Sequence, residues 1–159
     1  MSAERRSAAE QARLELALFE LFEHKISFNR VLGLKIAAAR PDDVRATIDM
    51  RPELIGHYTY GRLHGGVISS VLDAMGGLAL MVAIAERYAS ENTLQVMHRF
   101  ARLATIDLRV DYLRQGQGQR FTATAESMHL GSQIGRTQMR LVNDQSVLIA
   151  TAAAAYTVA

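Results

Sequence analysis

The chain has 159 residues, 49% of them hydrophobic and 21% charged, with a formal net charge of +2 and neither cysteine nor tryptophan. One domain with a substantial core fits this length, and wholesale disorder does not fit this composition. The lack of cysteine excludes disulfide frameworks, thiol nucleophiles, iron–sulfur clusters and cysteine-ligated zinc. Lys25 and Lys35 are the only lysines, and the arginines are scattered singly. That distribution speaks against a nucleic-acid stripe and leaves a small anionic ligand open.

The first fifteen residues carry Glu4, Glu10 and Glu15 and do not read as a secretory signal, so the expected location is the cytoplasm. Residues 7–24 read as a helix, with Leu14, Ala17, Leu18, Leu21 and Phe22 at three- and four-residue spacing. Residues 28–39 read as a poor strand or two half-strands interrupted by Gly33. A Pro41-Asp42-Asp43 turn follows, then a strand in which Val44, Ala46, Ile48 and Met50 alternate with polar residues. Residues 51–64 read as a loop punctuated by Pro52, Gly56 and Gly61.

From about Gly65 to Glu86 the chain is apolar almost all round, and a long central helix is expected. Val67 to Ala85 has the length of a bilayer span. Asp73 near its middle, Ser69, Ser70 and the Gly76-Gly77 pair favour a helix buried in a soluble core instead. Gly76, Gly77, Ala79 and Ala83 would let sheet backbone come close. Residues 87–103 read as irregular. Beyond them come alternating runs at 105–112, 121–126, 136–141 and 147–158, joined by turns at 115–119, 131–135 and 143–145. This pattern predicts a four-stranded antiparallel meander. The expected class is α+β, a curved sheet around one helix, with exposed edges that a second copy would cover.

The segment Arg62-Leu63-His64-Gly65-Gly66-Val67-Ile68-Ser69-Ser70-Val71-Leu72-Asp73 resembles the signature of hotdog-fold acyl-CoA thioesterases of the phenylacetate-pathway type. In that family a His-Gly-Gly tripeptide opens the central helix and an acidic residue follows within it. The likeness extends from about Val31 to Val158 and includes Thr105 to Arg114. It implies a hotdog domain over 26–159, preceded by a helical extension over 1–25. It also implies a homodimer, or a homotetramer built from one, with active sites at the subunit interface.

The implied reaction is hydrolysis of an acyl-CoA thioester to a carboxylate and free coenzyme A, which is part of the substrate and not a cofactor. By the same resemblance Gly65 would donate its backbone N–H to the oxyanion, and Asp73, from the other subunit, would be general base or nucleophile. His64 would hold the loop at the helix start and touch the thioester region. The physical chemistry is consistent with those roles. A helix N-terminus offers free N–H groups to developing negative charge, and a carboxylate desolvated on an apolar helix face is a stronger base.

The chain departs from the family where many members carry an asparagine about six residues before the histidine. Tyr58, preceded by His57, stands there, and neither side chain reproduces an amide. Ser90, Glu91 and Asn92 are candidates for a second polar group. Gly66, Ser69 and Met75 are candidate substrate contacts. His98, Arg99 and Arg102 are candidates for the coenzyme A phosphates, and Arg136 and Arg140 are similar ligand candidates. The five histidines form no HExxH or other metal-ligand pattern, so no metal is expected.

Each assignment has a plainer alternative. Asp73 could bond Ser69 or Ser70, His64 could be structural, the glycines could only permit a turn, and the methionines could be core. A non-catalytic acyl-CoA or acyl-group binding protein on the same scaffold is the alternative function.

Overall fold

The computed structural model describes residues 5–159. Ser7 accepts a hydrogen bond from the Glu10 N–H and caps α1 (Ala8–Phe19), which runs on into a wider π-helical turn (Glu20–Lys25). Leu14, Leu18 and Phe22 are buried along one stripe and belong to the same core cluster as the rest of the chain.

Residues 27–40 differ from the expected strand. Ser27–Leu32 forms a short helix, α2, which Gly33 ends in the left-handed region at φ 73°; β1 (Lys35–Arg40) begins only after it. The Leu34 N–H donates to the Asn29 carbonyl, and the buried Asn29 amide donates to the Phe22 carbonyl. Gly33 is therefore a helix C-cap and not a break inside a strand. β2 (Asp43–Asp49) pairs with β1 and turns Val44, Ala46 and Ile48 inward, as their alternation requires.

The 51–64 loop contains a 3₁₀ turn (Pro52–Leu54) and a small hairpin of β3 (Ile55–His57) and β4 (Arg62–Leu63). It delivers the chain into α3 (Gly65–Arg87), the central helix. This helix is long and apolar enough to cross a membrane, but most of it is enclosed by the rest of the protein. A further helix, α4 (Thr93–Phe100), occupies the stretch expected to be irregular. Asn92 and Gln95 form a reciprocal capping box at its start. The Asn-x-x-Gln spacing and the buried i, i+4 pair of Val96 and Phe100 were the available signals, in a helix of only two turns.

Four strands follow: β5 (Ala104–Tyr112), β6 (Arg120–Leu130), β7 (Ile134–Asn143) and β8 (Leu148–Thr157). The six-stranded antiparallel sheet has the order β1-β2-β6-β7-β8-β5. The expected meander therefore holds for β6, β7 and β8 but not for β5. β6 takes β2 as its other neighbour, with Ala46 opposite Ala123 and Ile48 opposite Phe121. β5 takes the far edge beside β8, and the 113–119 segment is a crossing connection and not a hairpin.

This sheet curves around α3 in the hotdog arrangement, with α1 as an additional N-terminal helix. Its inward Ala46, Ala123, Ala150 and Ala154 are small enough to let the helix sit close, and Phe121, Met139 and Leu141 fill the remaining space.

Candidate active site

The start of α3 is held by short contacts. The His64 N–H donates to the Leu54 carbonyl, and the Leu63 N–H to the Gly116 carbonyl. Gly56 passes so close beneath His64 that a Cβ on it would lie 2.5 Å from the His64 Cα. A side chain there would push the loop off the helix. His64 is the N-cap of α3, and its Nδ1 accepts from the Gly66 N–H at 2.8 Å. The remaining proton of the neutral ring is therefore on Nε2.

The cap leaves the two glycines different. The Gly66 N–H is occupied, while the Gly65 N–H, first in the helix, has no partner among the described residues. The Gly65 carbonyl accepts from the Tyr112 hydroxyl at 3.0 Å, which ties β5 to the helix start. Ser69 and Ser70 both turn their hydroxyls back to the Gly66 carbonyl and not to Asp73.

Asp73 lies half-buried two turns further along. Its Oδ1 accepts from Thr105 Oγ1 at 2.9 Å and from the Tyr156 hydroxyl at 3.1 Å, and Tyr156 also donates to the Asp73 carbonyl at 2.8 Å. Tyr156 is buried, and burial followed by the adjacent Asp73 charge pushes its phenol far above the ordinary range, so it remains a donor. Gly76 makes this possible, since a Cβ there would lie 2.2 Å from the Tyr156 oxygen.

Thr105 and Tyr156 were not among the sequence candidates. Tyr156 follows the inward alternation of β8, whereas Thr105 belongs by alternation to the polar face of β5 and turns toward α3 through the register shift between Thr105 and Asp107.

A cavity of about 280 Å³ opens beside Asp73, lined also by Thr105, Tyr156, Gly77 and Met81 and by Phe22, Ile26 and Phe28 of the N-terminal segment. A larger depression of about 1090 Å³ lies among Glu86, Arg109, Glu126 and Arg140, and Arg140 is the one candidate residue in its lining. The Asp73 cavity is the better candidate, since it joins an apolar wall to a hydrogen-bonded carboxylate.

The other candidates are dispersed. Tyr58 is 93% exposed at the tip of the β3–β4 hairpin. The His57 ring stacks with Tyr58 and meets Tyr60 at a tilt, with its Nδ1 buried and unpartnered among the described residues. Met75 is fully buried in the core, and Leu78 with it, away from the cavity. Arg99 is bound through two hydrogen bonds to Glu91, holding that carboxyl below its usual range, and lies over the Tyr88 ring. Asn92 is spent on capping α4. Arg102 and Arg136 are exposed on the surface.

The match to known proteins is extensive. Residues 60–150 match the family model described as the thioesterase superfamily. The chain belongs to the thioesterase superfamily. The match spans the His64 cap, Asp73, Thr105 and β5 to β7, so both ends of the candidate site lie within it.

Among its relatives, this superfamily member is 37% identical over 139 residues to the medium/long-chain acyl-CoA thioesterase YigI of Escherichia coli, covering 87% of this chain and 90% of that protein. A thioesterase-superfamily protein from Shewanella oneidensis superposes with a TM-score of 0.88 at 35% identity, over 97% of this chain and all of that one. The PaaI protein of the Escherichia coli phenylacetic acid degradation operon superposes with a TM-score of 0.70, over 96% of this chain and 95% of that one. At 18% identity its likeness is one of fold. Relatedness therefore holds at the level of the superfamily and not of the phenylacetate branch in particular.

Proposed function

We propose that this protein hydrolyses acyl-CoA thioesters with medium or long acyl chains. The observation that carries the reading is the pair of groups on α3, a free N–H at Gly65 and the hydrogen-bonded carboxylate of Asp73. The similarity to YigI, which is named for that activity, supports it.

In this reading the thioester carbonyl accepts from the Gly65 N–H, which stabilises the oxyanion as it forms at the positive end of the helix. Asp73 either takes a proton from the water that attacks the carbonyl, or attacks the carbonyl itself to form a mixed anhydride that water then hydrolyses; in both cases the carbon–sulfur bond breaks and the coenzyme A thiolate leaves. Thr105 and Tyr156 occupy Oδ1, fix the carboxylate rotamer and leave Oδ2 to face the reacting group.

Two copies are required. Gly65 and Asp73 of one chain are eight residues apart, about 12 Å along a helix axis, too far to act on one carbonyl. The second copy supplies the missing partner. β5 offers it an unpaired edge with Ile106, Tyr112 and Leu113 about half exposed, and Tyr58 and Tyr60 extend beside the helix start.

The experiment is free-thiol release from butyryl-, octanoyl-, dodecanoyl- and palmitoyl-CoA by the parent protein and Asp73→Asn. The expected result is turnover that falls about 10²-fold or more in the variant. Tight binding of acyl-CoA without any turnover would instead establish the binding-protein reading, which Tyr58 in place of the family asparagine favours.

A further inference from the structure

We propose that the N-terminal segment and the bare backbone at Gly77 form an acyl-chain pocket that sets the chain-length preference, with room for about eight to ten carbons. This rests on the hydrolase reading for the identity of the occupant, and it adds where the chain lies and what limits it.

Three observations point there. The cavity beside Asp73 follows one stripe of α3, through Asp73, Gly77 and Met81, and covers about 12 Å of helix from the carboxylate to the methionine. Its opposite wall is Phe22, Ile26 and Phe28, supplied by the segment that precedes the sheet. The space, about 280 Å³ and open to solvent along one side, is therefore limited by its length, and 12 Å is the reach of an extended chain of about eight to ten carbons.

Gly77 gives the pocket its depth. Glycine is the poorest helix former after proline, and inside a long helix it needs a reason. Gly76 has one, because the Tyr156 hydroxyl occupies the space of its Cβ. At Gly77 a Cβ would meet nothing within 4 Å, so no packing within the chain calls for glycine there. What the missing side chain leaves is space in the cavity, one helical turn beyond Asp73. A Cβ there would project into it with no heavy atom of the chain within 4 Å.

The test is kcat/KM for butyryl-, octanoyl- and dodecanoyl-CoA in the parent, Gly77→Leu and Phe28→Ala, with oligomeric state followed by light scattering. Phe28 is 55% exposed, so its truncation leaves the core intact. The expected result is a parental optimum near octanoyl-CoA. Gly77→Leu should lower the octanoyl-to-butyryl ratio about tenfold or more, and Phe28→Ala should lower it severalfold. An equal loss on all three substrates, an unchanged ratio in both variants, or dissociation of Gly77→Leu into monomers would overturn the inference. The last outcome would mean that Gly77 serves contact with a second copy.

If the parent shows no turnover at all, the hydrolase reading fails and the pocket is tested by calorimetric binding. Tighter binding of octanoyl- than butyryl-CoA, with the difference erased by Gly77→Leu, still supports the pocket. Equal affinities overturn it.

Discussion

Tyr156 and Thr105 do for Asp73 what its own helix does not. Both bonds go to Oδ1, so the carboxylate is held in one orientation, and the two donors act through it as positioning groups. Tyr156→Phe is expected to lower kcat about tenfold with KM nearly unchanged, because substrate contacts are left in place. Steady-state kinetics on octanoyl-CoA check this, and a change confined to KM would show the hydroxyl to be a binding group. Gly76→Ala should act on the same bond by displacing the phenol. A loss of about 1–3 kcal/mol in a denaturant melt is expected, as for other overpacked sites.

His64 was legible as a loop-holding residue from its place before two glycines. Its capping bond also decides which glycine N–H is free, and only the geometry of the turn reveals that.

The N-terminal helices are fastened at both ends of their packing. Arg6 donates to the carbonyl of Ala85 in the last turn of α3 and to those of Tyr88 and Glu91 just beyond it, where the helix leaves its last acceptors unpaired and carries partial negative charge. Arg6→Ala is expected to cost about 1–2 kcal/mol, read as a lower denaturation midpoint.

Glu10 accepts from both the N–H and the hydroxyl of Thr93, which joins α1 to α4 and lowers its carboxyl below the ordinary value. A depressed carboxylate stabilises the fold above its unfolded value and loses that contribution as pH falls through the folded one. Stability should therefore decline below about pH 4.5, and a Glu10→Gln variant should lose part of this decline. Denaturant melts between pH 3 and 7 measure it. Asp43, Asp49, Glu86 and Glu91 shift the same way beside arginines and add to the acid limb.

The subunit assignment makes a prediction that no single-chain site can meet. Asp73→Asn retains a sound helix start, and His64→Ala retains a sound carboxylate. Mixed, unfolded and refolded together, they should regain about a quarter of parental activity, since half of random dimers would carry one intact site of two. No recovery above the separate variants, with heterodimers present, would place both groups in one chain's site. Ile106→Asp, on the open β5 edge, should yield monomers with little activity, and light scattering reports the change.

Period-two runs and one apolar stretch sufficed for the α+β class and the central helix, because hydrophobic alternation is a local record of which face is buried. His64, Gly65 and Asp73 entered as candidates through their resemblance to a known signature, a segment that is local in the chain, and their roles are proposals. Strand order was not: β5 and β6 are adjacent in sequence, yet β5 pairs with β8, because every strand presents the same alternation to several possible neighbours. Gly33 as a cap, Thr105 and Tyr156 on Asp73, and the opposite behaviour of Gly76 and Gly77 were hidden likewise. Each depends on which atoms from distant segments fill the space beside it, and only the packed chain decides that.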